Sequence, residues 1–223
     1  MSDSQPVFRD RLASALRELG MEGDEPRIPA LLHYLAELER WNRAYNLTAV
    51  RDPSQMLVQH VFDSLSVVPE LRAFALGRVL HVADIGSGGG LPGIILGICE
   101  PQWTVVCVDA VGKKTAFIRQ AAGVLALPHV KAVHARAETL DSLQADVVIS
   151  RAFASLEDFI HVASHHCAPT GRLFAMKGQF PQEEQRALES DTPWRVLRTL
   201  PLQVPEMNAH RCLLELGPKD IHD

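Results

Sequence analysis

The chain has 223 residues, a formal net charge of −5 and 47% hydrophobic residues, which suits one globular domain with an appendage or two small domains. The negative balance argues against a protein that coats nucleic acid indiscriminately, so any nucleic-acid contact should be a local patch. Apolar stretches are far shorter than the roughly 20 residues of a membrane span, and the acidic N-terminus lacks the apolar core of a secretory signal. We therefore expect a cytoplasmic protein that contacts no membrane.

Four cysteines lie far apart in apolar segments and form no C-x-x-C pair: Cys99, Cys107, Cys167 and Cys212. We expect them to be reduced core thiols. His165, His166 and Cys167 are consecutive, but neighbouring residues of a helix point in different directions, so we expect no metal site there.

The first third of the chain has the apolar spacing of helices. Apolar side chains recur at helical intervals in three segments: Phe8 to Leu19, Leu31 to Tyr45 and Leu57 to Leu65. Gly20 is a stop signal, Pro29 bounds the second helix, and Asp52 before Pro53 is a favourable N-cap and first-position pair. We expect residues 1–75 to form a small helical N-terminal cap.

From Val79 onward, short apolar runs alternate with helical patterns, which is typical of an α/β domain. Strands are expected at Val79 to Ile85, Trp103 to Asp109, Val130 to Ala135, Val147 to Ser150, Leu173 to Met176, Val196 to Val204 and Cys212 to Leu216. Helices are expected near Pro92 to Cys99, Lys113 to Leu125 and Leu156 to Cys167. Residues 76–223 should therefore form a doubly wound, mostly parallel sheet that binds ligands at the carboxyl ends of its strands.

A glycine-rich turn from Gly86 to Gly93 follows the first expected strand. Its glycines let the backbone approach a ligand closely, and two adenosine cofactors could use such a turn. Gly88 and Gly90 with Gly93 satisfy the dinucleotide pattern G-x-G-x-x-G, and Asp109 ends the next strand, where an acid binds ribose hydroxyls. On this pattern alone, a nicotinamide-dinucleotide oxidoreductase remains open.

Three features favour S-adenosylmethionine. Asp84 lies two residues before the first glycine, where an acid suits a cationic ligand and repels phosphate. Ala137 and Glu138 follow the third strand, where methyltransferases of this fold commonly contact the adenine. The remaining chain has no evident second domain for hydride chemistry. We therefore predict a class I S-adenosylmethionine methyltransferase fold.

The fourth strand ends in Ser150-Arg151-Ala152-Phe153, where the acceptor should meet the methyl group. Exocyclic amino groups are usually methylated at an Asn/Asp-Pro-Pro-aromatic turn, which is absent here. Methylation of a pyrimidine carbon needs a nucleophilic cysteine, and no cysteine ends a strand. The remaining acceptors are those that are already nucleophilic.

Five segments together resemble the RsmG (GidB) family, bacterial methyltransferases that act on N7 of a guanine in 16S rRNA. They are Asn46 to Val50, His60 to Leu65, Asp84 to Gly93, Ser150 to Leu156 and Met176 to Gly178. The resemblance runs from about Leu31 to Leu216 in one order. It departs at the ends, because Met1 to Arg27 adds nothing diagnostic and Lys219 to Asp223 is not a basic tail.

The resemblance implies cofactor contacts at Gly86, Leu91, Ala137, Glu138 and Arg151. Asp84, Gly88 and Asp109 join this expected cofactor set by the arguments above. Arg151 is expected at the junction of cofactor and acceptor, facing the cofactor carboxylate or a phosphate. Lys177, at the end of the next strand, could hold an RNA phosphate or the guanine O6. His60, Asp63 and Asn46 could line the entrance from the N-terminal cap, although packing and capping roles suit them equally well.

The acceptor implied by the resemblance is guanine 527 of 16S rRNA, within a small-subunit particle. No DNA contact is expected, and the enzyme should be a monomer. Guanine N7 carries no proton, so the enzyme's task is alignment and desolvation and no general base is required. The target guanine should lie in a loop, with Phe153 placed to stack on it. A small-molecule or protein methyltransferase on the same fold remains the alternative.

Overall fold

The computed structural model describes residues 4–151, 153, 155–178 and 182–219. Its strands are β1 (His81–Ile85), β2 (Thr104–Asp109), β3 (Val130–His134), β4 (Ala145–Ser150), β5 (Cys167–Lys177), β6 (Trp194–Leu202) and β7 (Arg211–Pro218). They form one sheet in the order β3-β2-β1-β4-β5-β7-β6. The pairs among β1 to β5 are parallel, whereas β7 runs antiparallel to both β5 and β6. The predicted mostly parallel, doubly wound sheet is confirmed.

The helices are α1 (Ser4–Glu18), α2 (Ile28–Tyr45), α3 (Pro53–Met56), α4 (Asp63–Leu65), α5 (Val68–Ala75), α6 (Gly93–Cys99), α7 (Gly112–Val124), α8 (Leu156–Ala163) and α9 (Gln182–Asp191). A π-helical segment, Leu57–Phe62, joins α3 to α4. Short 3-10 turns lie at Glu22–Arg27, Ala137–Thr139 and Ser164–His166. The sequence periodicity did not identify α5 or α9.

Two boundaries differ from the predictions by four residues or more. The helix expected to run to Cys167 ends at Ala163, and β5 begins at Cys167 instead of Leu173. A long-range contact explains the early end, because the ring of His166 makes a hydrogen bond of 3.0 Å to the carbonyl of Ala137. The predicted N-cap at Asp52 is confirmed, since its Oδ1 accepts from the amide of Gln55 at 2.8 Å.

The N-terminal cap covers one face of the sheet. A single apolar cluster extends from Leu12 in α1 through α6 and α7 to Leu213 in β7, and a second cluster fills the opposite face beneath α8. Alternate residues of β1 belong to different clusters, with Val82 on the cap side and Ala83 on the other. Because both parts of the chain share the first cluster, a domain boundary at residue 75 stays a prediction.

Cys99, Cys107 and Cys212 are buried, Cys167 is half-buried, and all four are free thiols. Within the described ranges, no helix is long and apolar enough to cross a bilayer.

One ion-pair network joins the cap to the sheet layer and should contribute measurably to stability. Arg72 of α5 donates to both carboxylate oxygens of the buried Asp24, at 2.6 and 2.9 Å, and to Glu100 at 2.5 Å. We expect Arg72→Met to lower the free energy of unfolding by about 1–3 kcal/mol, because a buried carboxylate loses its partner. Urea unfolding would measure this loss of unfolding free energy. Arg17→Met, which breaks an exposed pair with Glu25, should cost less than about 0.5 kcal/mol. Equal losses in the two variants would contradict the role of the network.

Candidate active site

The glycine-rich turn lies at the carboxyl end of β1. Gly86, Gly88 and Gly90 have φ values of 70°, 58° and 78°, a region that favours glycine. The amides of Gly86 and Ser87 donate to the carbonyl of Val108 at 2.9 and 3.1 Å, which fastens the turn to β2. The turn therefore holds a fixed backbone path where a ligand can approach it.

Asp84 lies beneath this turn and is 0% exposed. Its Oδ2 accepts from the amide of Gly93, the first residue of α6, at 2.9 Å. Its Oδ1 has no hydrogen-bond partner among the described residues. Burial raises the pKa of this carboxyl to about 7, despite the Gly93 amide and the Arg151 guanidinium, which favour the charged form.

Asp109 connects the turn to the loop after β2. Its Oδ2 accepts from the amide of Gly88 at 2.9 Å, and its Oδ1 accepts from the amide of Val111 at 2.8 Å. The Lys114 ammonium lies 3.9 Å from Oδ2. Because each carboxylate oxygen has a second acceptor site, Asp109 can still receive ribose hydroxyl protons.

Two cavities meet at Gly86. The first, of ≈ 230 Å³, is lined by Leu38, Leu47, Thr48, His60, Gly86, Ser87, Gly88, Gly89, Leu91, Lys114 and Arg151. The second, of ≈ 160 Å³, is lined by Ile85, Gly86, Val108, Asp109, Ala110, Ala135, Arg136, Ala137, Glu138, Phe153 and Val162. All predicted cofactor residues except Asp84 therefore line one cavity or the other. Lys177, which was predicted to contact the acceptor, lines neither.

Arg151 is held by the N-terminal cap. Its Nη1 donates to the carbonyl of Gln59 at 2.9 Å and to Oδ2 of Asp63 at 3.1 Å. The other oxygen of Asp63 accepts from Nε of Arg211, at the start of β7, also at 3.1 Å. In the described parts of the chain, Nε and Nη2 of Arg151 have no partner, so one edge of the guanidinium is available to an anion.

The cap also forms the wall opposite the turn. The hydroxyl of Tyr34, in α2, donates to the carbonyl of Gly89 at 2.7 Å. At the end of α2, Asn42 accepts from the amide of Thr48 at 2.8 Å and donates to the carbonyl of Val50 at 2.9 Å. These bonds shape the segment that places Thr48 beside the ring of His60.

The second cavity is supported from below by His166, which is fully buried and contacts the carbonyl of Ala137. Glu138, the residue after Ala137, is exposed. Phe153 lines this cavity and not the first, and its ring lies 5.3 Å from that of Phe159. Stacking of Phe153 on the acceptor stays a prediction.

Lys177 is 11% exposed in its side chain. Its ammonium lies 3.0 Å from Oε2 of Glu184, in α9, and donates to the carbonyl of Phe153 at 3.3 Å. The same Glu184 oxygen accepts from the amide of Leu156, at the start of α8. Contact of Lys177 with an acceptor remains a prediction.

No group of three or more metal-binding side chains is arranged to hold an ion in the part of the chain that is described. His165 and His166 contact the carbonyls of Leu140 and Ala137, respectively. The centroids of their rings lie 3.8 Å apart, with the ring planes tilted by 40°.

Comparison with known proteins identifies the family. The model of GidB, described as rRNA small subunit methyltransferase G, matches residues 27–214. The chain belongs to the GidB family. A family relative from Bordetella avium, named ribosomal RNA small subunit methyltransferase G, is 54% identical over 205 residues, covering 92% of this chain and 91% of its own. The relative of the same name from Acidovorax ebreus is 47% identical over 224 residues, covering 95% and 98%.

Solved structures show the same fold at low sequence identity. An S-adenosylmethionine-dependent methyltransferase from Aquifex aeolicus matches with a TM-score of 0.55 and 18% identity, covering 74% of this chain and 93% of that one. The predicted GidB family and S-adenosylmethionine methyltransferase class are confirmed. The family match decides against the oxidoreductase that the glycine pattern had left open.

The sequence alone assigned no role to Tyr34, Thr48, Lys114 or Arg211, and it placed Asp63 at the entrance from the N-terminal cap without naming its partners. The resemblance segments contained Thr48 and Asp63, which was the available signal. Tyr34 and Arg211 become visible only when the cap and β7 are folded against the turn.

Asp84 should make the stability of this GidB chain depend on pH. Its pKa is about 7 in the folded state, above the ordinary value of 3.8 for an aspartate, so between these two values the folded state holds a proton that the unfolded state has released. The contribution of Asp84 to stability is therefore present at low pH and is lost as pH rises through about 7. Between about pH 5 and 8, we expect the wild type to lose roughly 2–3 kcal/mol more unfolding free energy than Asp84→Asn.

Denaturant unfolding at a series of pH values would measure this difference, with the exposed Asp141→Asn as the control. Parallel pH dependences of the wild type and Asp84→Asn would contradict the buried-carboxyl interpretation.

Proposed function

We propose that this protein transfers the methyl group of S-adenosylmethionine to N7 of a guanine in 16S rRNA, guanine 527 by the family resemblance. The single observation that carries the proposal is the pair of cavities meeting at Gly86 in a chain of the rRNA small subunit methyltransferase G family. One cavity suits the adenosine of the cofactor, and the other has room for the methionine end and an acceptor.

The second cavity supports an adenosine site. Asp109 on its wall offers carboxylate oxygens for the ribose hydroxyls, and Ala137 with Glu138 lies where the adenine edge would be. Phe153 contributes an aromatic ring to the same cavity. We therefore assign Phe153 to the cofactor side, where a ring can stack on the adenine.

The first cavity supports the methionine end. Gly86, Gly88 and Leu91 line its floor, and Arg151 lines its rim. With Nη1 occupied by Gln59 and Asp63, the remaining edge of the guanidinium can form two parallel hydrogen bonds to the cofactor carboxylate. Asp84 would act from beneath the turn, through its hydrogen bond with the amide of Gly93, and not by direct contact.

The chemistry requires no proton transfer. The lone pair of N7 attacks the sulfonium methyl, the carbon–sulfur bond breaks, and its electron pair remains on sulfur as a thioether. The positive charge moves from sulfur to the purine. The chain's contribution is to align donor and acceptor and to exclude water, and such alignment is worth on the order of 7–11 kcal/mol.

The protonation state of His60 suits this chemistry. Burial lowers the pKa of its ring to about 4, and the Arg151 guanidinium contributes a smaller lowering, so the ring is neutral at physiological pH.

Lys177 is proposed to bind an RNA phosphate at the edge of the site. Its ammonium would then leave Glu184 and pair with the phosphate. The particle context and the monomeric state are part of the same proposal.

The role of Arg151 can be tested with a matched ligand. We expect Arg151→Met to weaken S-adenosylmethionine binding by roughly 10-fold to 100-fold, because hydrogen bonds to a charged group are worth about 1.5–3 kcal/mol. Decarboxylated S-adenosylmethionine should bind both proteins alike. Calorimetry would measure the affinities. Arg198→Met is the control, since Arg198 of β6 pairs with Glu215 of β7, near the edge of the sheet that is far from β1. An equal loss for both ligands would mean that Arg151 does not bind the carboxylate.

The site of methylation has a chemical signature. A purine methylated at N7 is cationic, so borohydride reduces its imidazole ring and aniline then cleaves the RNA chain there. We expect under-methylated 16S rRNA to be cleaved at one loop guanine after incubation with enzyme and S-adenosylmethionine, but not with S-adenosylhomocysteine. Because no proton is removed, kcat should not fall as the pH is lowered through about 6–7, the range in which a catalytic imidazole would titrate. With S-adenosylmethionine labelled in its methyl group, transfer of the label to an exocyclic nitrogen, a ribose oxygen or a pyrimidine carbon would refute the assignment.

A further inference from the structure

Tyr45 is a large aromatic side chain that remains at the surface beside the first cavity. It is the last residue of α2 and is 50% exposed. Trp41, one turn earlier in the helix, is half-buried, and its ring lies 5.0 Å from that of Tyr45 with the planes tilted by 39°. Trp41 packs in turn edge-on at 5.7 Å against Phe117 of α7, which is fully buried. The Tyr45 ring is therefore supported from the core while half of the residue contacts solvent.

Two short chain segments connect this ring to the first cavity. Leu47, two residues after Tyr45, lines the cavity, and so does Lys114 of α7. Lys113, the residue before Lys114, is exposed and donates through its Nζ to the carbonyl of Tyr45 at 2.7 Å. An exposed aromatic ring and two ammonium groups therefore lie at the edge of the cavity in which methyl transfer is proposed.

The charges around Tyr45 favour an anionic ligand. Lys113 forms no ion pair with a carboxylate in the described parts of the chain, and its bond to the Tyr45 carbonyl uses one of three ammonium protons. The Lys114 ammonium lies 3.9 Å from Asp109, a distant ion pair. A chain with a net charge of −5 must offer RNA a local site of positive charge, and the exposed Lys113 provides one.

Proteins that hold single-stranded RNA combine cations that pair with phosphates and aromatic rings on which bases stack. Both groups are present at this edge of the cavity. We propose that the ring of Tyr45 stacks on a base next to the target guanine, and that Lys113 pairs with a phosphate of the same strand. The neighbouring nucleotide is held outside while the guanine enters the first cavity. Tyr45 and Lys113 are thus positioning residues that contribute affinity for rRNA.

This inference rests on the proposed function, because it takes 16S rRNA as the substrate. The competing occupant of this surface is a protein of the small-subunit particle, for which Tyr45 would be an apolar contact. Apolar bulk at residue 45 is sufficient for a protein contact, whereas stacking on a base requires an aromatic ring. Leucine at this position separates the two occupants, because it keeps the bulk and removes the ring.

The ring can be tested by measuring rRNA binding in the presence of S-adenosylhomocysteine, so that no methyl group is transferred. The substrate is under-methylated 16S rRNA in the form that the wild type methylates, free or in small-subunit particles. We expect Tyr45→Ala and Tyr45→Leu to bind it roughly 10-fold more weakly, and Tyr45→Phe to bind within about twofold of the wild type. S-adenosylmethionine affinity, and kcat at saturating rRNA, should stay unchanged, because Tyr45 lines neither cavity.

Lys113 has an independent signature in the salt dependence of binding. In a plot of the logarithm of the binding constant against the logarithm of the salt concentration, Lys113→Gln should lower the slope by about one. Tyr45→Ala should leave the slope unchanged, because it removes no charge. Lys131→Gln is the matched control, since it removes the same charge at an exposed position of β3 that lines neither cavity, and its slope should equal that of the wild type.

Equal rRNA affinities of the wild type and Tyr45→Ala, with methyl transfer to N7 intact, would overturn the stacking and leave the proposed function in place. Binding that is retained by Tyr45→Leu but lost in Tyr45→Ala would also overturn it and assign the ring to a protein contact. Methyl transfer by the wild type to an atom other than N7 would instead refute the proposed function. If the Tyr45 variants do not fold, the exposed Lys113→Gln decides, since an unchanged salt slope would overturn the contact of this surface with RNA.

Discussion

The close approach of α6 to the end of β1 is the constraint on which the rest of the site depends. A Cβ atom at residue 93 would lie 2.5 Å from Sγ of Cys107 and 2.8 Å from Oδ2 of Asp84, so only glycine fits where the helix begins. The same contact allows the Asp84 carboxylate to accept from the first amide of α6. Because α6 lies so close to the end of β1, the glycine-rich turn that joins them forms a narrow loop. The two cavities lie on either side of that loop.

The site has two walls of different origin. The sheet supplies Asp109 and the residues after β3, which suit the cofactor. The cap supplies Leu38, Thr48 and His60, which face the first cavity from the other side. Arg151 joins the walls, because it comes from the sheet but is held by Gln59 and Asp63 of the cap. In the proposed function, the adenosine of the cofactor would contact the sheet layer, the acceptor would contact the cap, and Arg151 would belong to both.

Local patterns were enough to predict the strands and the glycine-rich turn. The alternation of short apolar runs located β1 to β7, and the placement of Asp109 and Arg151 followed from their positions at strand ends. Contacts between distant residues were not predictable in this way. The early end of α8 depends on the contact of His166 with Ala137, and α9 is a polar helix with a single buried residue, Leu188. Periodicity carries no signal for either feature.

The candidate site shows the same limit. Motif spacing placed Arg151 and His60 near a ligand, but it could not show that Asp84 lies beneath the turn or that Lys177 pairs with Glu184. Tyr45 illustrates the problem within one helix, because it shares the spacing of the buried stripe of α2 yet is 50% exposed. Its ring covers Trp41 at the helix end, where the stripe leaves the core.

The pairing of Asp63 with Arg211 also has a consequence for synthesis on the ribosome. The two residues are 148 positions apart, and Arg211 opens the last strand. A nascent chain exposes the apolar face of the cap long before β7 emerges to complete the cluster that contains Leu12 and Leu213. Until then, Arg151 is the partner that Asp63 has among its contacts in the described residues. The set of ion pairs that holds Arg151 at the first cavity is therefore complete only after β7 has been translated.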